Sequence, residues 1–513
     1  MNKIEHSSLG VLPAGGGFGV CRWLLVFACF SILYGTTAQR GVSWQDSGKY
    51  QYRVWQGEYE DEGGLALAHP LYIAAGRLAR LVPVADLPTR LNWLSAVAMA
   101  VMLANLAAGV SLITSVPWTG LAIAGMLGVS HTPWWLGTVA ETYPLSAAGL
   151  AGELYLLIRL MRRPHWGWLA ALAGLNGLGL SVHNLAMLPL LVYVCVVVWL
   201  IRRGKLPAWS ILPAGGAWLA GAGLILAMTV RQALLSGSYL AAGWSALVGI
   251  YSRDVLNVRF AGSMKHNLCL SAINFFSFLT PLAIIGWGRL LRRVGLPLGL
   301  AIIAITVIDF AFVLRYSVPD QFMFLLPALI QVGLAAGVGL AELSAGADNR
   351  RKIFFIAAGC AMSMLLQTVL VGSAPVLAKR AGITSQRARP LPFRDDVRYW
   401  LVPWKHNERS AELFALSALE QADPEGIIVA DTTCLPPLLL VRQRHGRWPG
   451  VDIQFRNQPL PLNSPAEEIF RAAKGRPIYV VSPIEGYTPR KLLDNSQFEK
   501  LPSQVLYRVI PAK

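Results

Sequence analysis

The sequence predicts an α-helical polytopic membrane protein that ends in a small α/β domain, and three observations predict it. First, 54% of the 513 residues are hydrophobic and only 14% are charged, with a mean hydropathy of +0.48. That apolar content is too large for one water-soluble core. Second, the apolar residues fall into about eleven runs of roughly 16 to 22 residues, long enough to cross a bilayer as helices. Third, the runs stop near residue 374, and a charged, proline-containing pattern of short strands and helices replaces them.

In chain order the spans are read near 23–38, 92–113, 116–131, 142–161, 167–182, 185–201, 209–230, 270–290, 296–314, 322–343 and 353–373. The net charge of +17 is not gathered into one basic stripe, so no nucleic-acid partner is expected. The cations form short clusters between spans, at Arg162-Arg163, Arg202-Arg203, Arg289 to Arg293 and Arg350 to Lys352. With Lys3 and Arg22 on the cytoplasmic side, counting crossings puts all four clusters there too, as the positive-inside rule requires. The same parity puts Asp46, His69, Glu141, His183, Arg315, Asp320 and everything after about 374 on the other side. The first run is read as a retained anchor rather than a cleaved signal, because no clean A-x-A site follows it. Five of the six cysteines lie in or beside apolar segments and only Cys434 in a clearly polar one, so no disulfide framework or CxxC metal site is expected.

The organisation is therefore a transmembrane domain over 1–373, with its first external loop at 39–91, followed by an external α/β domain over 374–513. In the latter, 426–431 and 476–482 have the short apolar pattern of buried strands, and 408–421 has the pattern of an amphipathic helix. No glycine fingerprint for a nucleotide occurs there, so the domain is expected to act as a lid or an acceptor-docking platform.

The external segments carry the chemistry-bearing residues. The first loop holds Asp46-Ser47-Gly48, then Arg53, then His69-Pro70-Leu71 opening an amphipathic segment that contains Arg77 and suits the membrane interface. Asp-Ser-Gly is also ordinary turn chemistry, and Tyr50, Tyr52 and Trp55 read as an interfacial belt. Glu141 precedes an apolar helix, where a carboxylate either caps the helix or serves a site. His183 lies at a helix turn, where a hydrogen-bonded structural histidine is the commoner role. Arg315 and Asp320 bring opposite charges into one loop, which suits either a loop ion pair or a phosphate contact. No charged residue is expected to be buried mid-span, and no internal repeat is visible.

Five segments in order, Asp46-Ser47-Gly48, Ala68 to Tyr72, Glu141 to Leu145, Gly179 to Asn184 and Tyr316 to Pro327, resemble a bacterial and animal membrane family related to protein O-mannosyltransferases. The resemblance covers about 40–330 and implies the GT-C fold, a polyprenyl- or dolichyl-phosphate sugar donor and Asp46 as the catalytic carboxylate. The chain departs from the family pattern at Lys49, where an acid is usual, and at Leu71, where a second proline is usual. The first departure removes a second carboxylate, a place Glu141 could take, and leaves a divalent metal such as Mg or Mn an open requirement.

Under that resemblance Asp46 acts as general base on the acceptor hydroxyl. Charge accumulating on the leaving phosphate calls for Arg53, His69, Arg77, His183 or Arg315 nearby, with Asp320 also at the substrate. The expected function is an inner-membrane glycosyltransferase that uses a polyprenyl-phosphate sugar from the lipid bilayer and an acceptor (protein, glycan or lipid) in the periplasm. The competing expectations are a transporter or flippase of a lipid-linked intermediate and a noncatalytic scaffold.

Overall fold

The computed structural model describes residues 19–251, 264–316, 318, 320–345, 350–382, 389–455, 460–502 and 505–512. Lys3, Ser317 and Pro319, used in the sequence reading, lie outside the described residues. Eight helices among the described residues are long and apolar enough to cross a membrane: Val20–Thr37, Leu87–Thr114, Tyr143–Arg162, Asn184–Arg202, Ala208–Ser236, Leu296–Arg315, Gln321–Ser344 and Arg350–Arg380. The remaining three expected spans are helical but shorter, at Pro117–Gly128, Trp166–Val182 and Leu279–Val294. The run expected at 270–290 breaks after the helix Met264–Ala272. There the Asn274 side chain donates to the carbonyls of Leu270 and Ser271 and to Thr132 Oγ1, competing with the helical ladder.

Leu87–Thr114 and Gln321–Ser344 are the most enclosed spans and form the centre of the bundle. Close helix contact rests on small residues. A Cβ on Gly286 would lie 1.7 Å from the Ala335 carbonyl oxygen, and one on Gly339 would lie 2.0 Å from that of Leu282. Only glycine lets Leu279–Val294 and Leu326–Ser344 approach this far.

The expectation that no charge lies buried mid-span is corrected by the fold. Glu153 and Asp309 are 1% and 2% exposed within their spans. Neighbouring helices supply the hydrogen bonds that make this tolerable: Asn176 Nδ2 and Tyr193 Oη donate to Glu153 Oε2, and Gln331 Nε2 donates to Asp309 Oδ2. Sequence inspection misses them because each carboxylate is isolated in an apolar run while its partners come from other helices.

The C-terminal region forms a five-stranded sheet in the order β2-β1-β3-β5-β4. The strands are β1 Ile427–Val429, β2 Asp452–Gln454, β3 Ile478–Val480, β4 Ser496–Lys500 and β5 Tyr507–Pro511. β1 runs parallel to β2 and β3, with Ile427 opposite Ile478, whereas β5 runs antiparallel to β3 and β4. β1 and β3 occupy the two segments read as buried strands, and Ser410–Gln421 is the expected helix. This region sits directly on the first loop. Trp44 Nε1 donates to Ser410 Oγ at 2.7 Å, the Lys405 amide donates to the Thr37 carbonyl at 2.7 Å, and Arg444 Nη1 pairs with Asp86 Oδ2 at 3.0 Å.

Candidate active site

Residues 45–56 are a helix rather than an irregular loop, and this positions the Asp-Ser-Gly segment. Trp44 precedes it in extended backbone, and Gly57, at φ 80°, ends it with its N–H on the Arg53 carbonyl. Asp46 lies in the first turn, where the helix dipole favours a carboxylate. Each member of the tripeptide has its own task. Asp46 opens to the water of a cleft, and the Ser47 hydroxyl donates to Glu141 Oε1 at 2.7 Å. Gly48 admits the C-terminal domain: a Cβ there would meet the Ser43 carbonyl oxygen at 2.3 Å and Pro436 Cβ at 3.1 Å.

The cleft is a small depression, with about 270 Å³ of space around it when open solvent is included. Three carboxylates line it, Asp46, Glu141 and Asp320, together with four aromatic side chains, Trp44, Trp135, Tyr399 and Trp400. Trp135 and Trp400 stack with centroids 5.5 Å apart, and Trp135 Nε1 donates to the Tyr399 carbonyl. The cleft is therefore built jointly by the first loop, the segment before the helix Tyr143–Arg162, the start of the span Gln321–Ser344 and the C-terminal domain.

Both central acids are held above their usual range. Enclosure by protein raises the Asp46 carboxyl, with Lys49 opposing the shift and Asp61 adding to it. Asp46 is itself exposed to the cleft, and its carboxyl is raised less than that of buried Glu141. Glu141, 4% exposed, is pushed well up by burial and then by the neighbouring Asp46 and Asp320, while its Ser47 hydrogen bond pulls the other way. Two interacting acids titrate as a pair. Glu141, the drier, keeps its proton longer than water-accessible Asp46.

The fold brings Asp320 to these acids but places the predicted cations elsewhere. Arg53 is buried and enclosed by Asp61 Oδ2 and the carbonyls of Tyr59, Leu67 and Ala68, at 2.7 to 3.3 Å. Arg77 is exposed and lies over the Tyr59 ring, and Arg315 is exposed at the end of Leu296–Arg315; neither lines the cleft. His69, at φ 48°, points Nδ1 to the Val182 carbonyl at 2.8 Å and stacks on His183 with centroids 4.9 Å apart. Burial lowers the His69 pKa well below the usual histidine value, with His183 adding to the effect. The pair ties the first loop to the end of Trp166–Val182. Among the described residues no group of three or more His, Cys, Asp or Glu side chains is arranged to hold a metal ion. Sequence reasoning missed Ser47, Trp135, Tyr399 and Trp400 as parts of the cleft. Only Ser47 carried a signal, its place inside the Asp-Ser-Gly segment.

No family model matches the sequence, and no curated protein sequence matches it. Solved structures do match, over nearly the whole chain. ArnT from Cupriavidus metallidurans bound to undecaprenyl phosphate aligns with a TM-score of 0.56 at 13% identity, covering 96% of this chain and 98% of that one. The same protein in the apo state aligns at 0.52 and 13% identity, covering 95% and 97%. The chain has the GT-C fold. With it comes a multi-pass membrane protein, in agreement with the apolar helices. In this fold the acidic cleft is lined on its C-terminal side by Tyr399 and Trp400 of the short helix Asp396–Leu401, and the buried carboxylates Glu153 and Asp309 lie apart from it within the spans.

Proposed function

We propose that the chain is a glycosyltransferase of a bacterial inner membrane, transferring a sugar from a polyprenyl phosphate to a hydroxyl of a periplasmic acceptor. The observation that carries this reading is the cleft in which accessible Asp46 faces the same space as buried, Ser47-bound Glu141. A fold shared with a protein crystallised with undecaprenyl phosphate supports the choice of donor. The positive-inside count supports the orientation, with the cleft and C-terminal domain in the periplasm.

Asp46 is the general base. The acceptor hydroxyl proton passes to its carboxylate as the acceptor oxygen bonds to the anomeric carbon. The bond from that carbon to the phosphate oxygen breaks, and its electron pair leaves with the polyprenyl phosphate. Glu141, retaining its proton, hydrogen-bonds substrate as a neutral carboxyl, and Asp320 contacts the sugar hydroxyls. The aromatic walls offer faces for the sugar ring.

The test is release of free polyprenyl phosphate from a panel of labelled polyprenyl-phosphate sugars, using purified protein and the Asp46→Asn variant, with and without chelator. Turnover of one donor, reduced roughly a hundredfold or more in Asp46→Asn, is expected; near-normal turnover by the variant removes Asp46 as the base. The chelator arm reads metal dependence directly. A second reading, transport of a lipid-linked intermediate, draws on buried Glu153 and Asp309, since transporters place polar sites within the membrane. Movement of labelled lipid across vesicles without sugar transfer would favour it.

A further inference from the structure

The aromatic side of the cleft is backed by two buried cations that nothing in the carboxylate chemistry requires. Arg394 is 7% exposed and Lys405 2%. The Arg394 guanidinium carbon lies 4.5 Å from the Tyr399 ring centroid and 5.4 Å from that of Trp44. Lys405 Nζ lies 4.5 Å from the Tyr399 centroid and 5.2 Å from that of Trp135. All three rings line the space shared with Asp46 and Glu141.

Arg394 is only partly satisfied. Its Nε donates to Asp396 Oδ1 at 2.5 Å, but Nη1 and Nη2 are buried with no hydrogen-bond acceptor. The ring faces attract the charge without replacing the hydrogen bonds of those four N–H groups. Phe393, immediately before it, is held at φ 62°, a strained backbone for a bulky residue. Lys405 Nζ donates to the carbonyls of Tyr399 and Val402, leaving a third donor. Burial brings its pKa down to about 7, with Glu408 raising it and Arg394 and Arg398 lowering it, so a nearby anion would hold its charge in place. A buried guanidinium fork with unmet donors beside an ammonium fits one ligand chemistry above others, a phosphate anion.

We propose that Arg394 and Lys405 are the cations that receive the phosphate of the polyprenyl donor, reached when the Tyr399 ring swings aside. This deepens the glycosyltransferase reading and rests on it. It also gives the C-terminal domain a share in the site: the acids come from the membrane domain and the phosphate contacts from the segment that covers it. Arg53, by contrast, already has acceptors on both terminal nitrogens and lacks one only at Nε, and Arg77 and Arg315 do not line the cleft.

The experiment measures binding of radiolabelled undecaprenyl phosphate to the purified full-length chain in detergent, for wild type, Arg394→Gln and Arg394→Lys. Loss of one charged hydrogen-bonding group predicts affinity about tenfold or more weaker in Arg394→Gln. Arg394→Lys, which keeps the charge and loses the fork, should fall between the two, and it decides the matter should Arg394→Gln not fold. Wild-type affinity in a folded variant overturns the site and leaves the glycosyltransferase reading intact; no binding by the wild-type chain overturns both the site and the lipid-phosphate donor. Inorganic phosphate as competitor separates the two sources of the anion. Displacement of the lipid from wild type but more weakly from Arg394→Gln shows that the headgroup is read at Arg394, and equal displacement from both overturns the proposal.

Discussion

Replacing Glu141 by Gln tests the protonation state on which the proton economy of the cleft depends. Burial, Asp46 and Asp320 all favour the neutral acid, and only Ser47 opposes them. A carboxyl raised above its ordinary value of 4.5 binds its proton more tightly folded than unfolded. Its contribution to stability is therefore full below 4.5 and is lost as pH rises toward the folded pKa. Each pH unit between 4.5 and the assay pH costs about 1.4 kcal/mol while the folded group stays protonated. At pH 7 the ceiling on that cost is roughly 3 kcal/mol. Glutamine has no such cost and still offers an acceptor oxygen to the Ser47 hydroxyl at 2.7 Å. Thermal unfolding in detergent should show Glu141→Gln gaining on wild type as pH rises from 5 to 7, and near parity at pH 5. A variant equally destabilised at every pH would refute a protonated Glu141 and return it to the role of an ionised partner. Glu141→Ala supplies the contrast: it leaves the buried Ser47 hydroxyl without its acceptor, at a cost of about 1–3 kcal/mol.

Two further outcomes follow from the packing around the first loop. Gly48→Ala must find about 1 Å between its new Cβ and the Ser43 carbonyl oxygen, from a starting separation of 2.3 Å. It should lower the Tm and reduce turnover together, because displacing Asp46 by that much costs up to about a hundredfold in rate; an unchanged Tm would show that the helix gives way freely. Arg53→Ala leaves Asp61, 2% exposed at its side chain, with Lys49 as its remaining ion-pair partner. Because Lys49 still neutralises Asp61, a loss of about 1–3 kcal/mol in stability is expected, from the buried carbonyls of Tyr59, Leu67 and Ala68 left without their donor; a raised donor KM with unchanged Tm would instead make Arg53 a phosphate ligand.

What the sequence made legible was what one segment encodes by itself. Apolar run length marked all eleven spans as helical, although Asn274 split one of them and three are short. Short apolar clusters marked β1 and β3, and order along the chain marked Asp46 and Glu141. Asp320, 179 residues further along than Glu141 and marked by the Tyr316 to Pro327 segment, reaches the same cleft.

Partnership between charges is what the sequence could not show, and Arg53 and Arg394 make the reason physical. Both are arginines beside aromatic residues and acids, and by local composition Arg53, seven residues after Asp46, is the better phosphate contact. The fold closes a loop around Arg53 and gives both ends of its guanidinium fork acceptors, three carbonyls and Asp61, leaving only Nε unmet before any ligand arrives. Arg394, 348 residues from Asp46 in sequence, is packed by domain docking against Trp44, two residues before Asp46, with two of its nitrogens unmet. A cation's availability is thus a property of how many acceptors its surroundings have already supplied, and that sum exists only after the C-terminal domain is seated on the first loop. A chain lacking the docked domain would keep its acids and lose Arg394 and Lys405, so if these two cations receive the donor phosphate, donor affinity and domain docking should fail together.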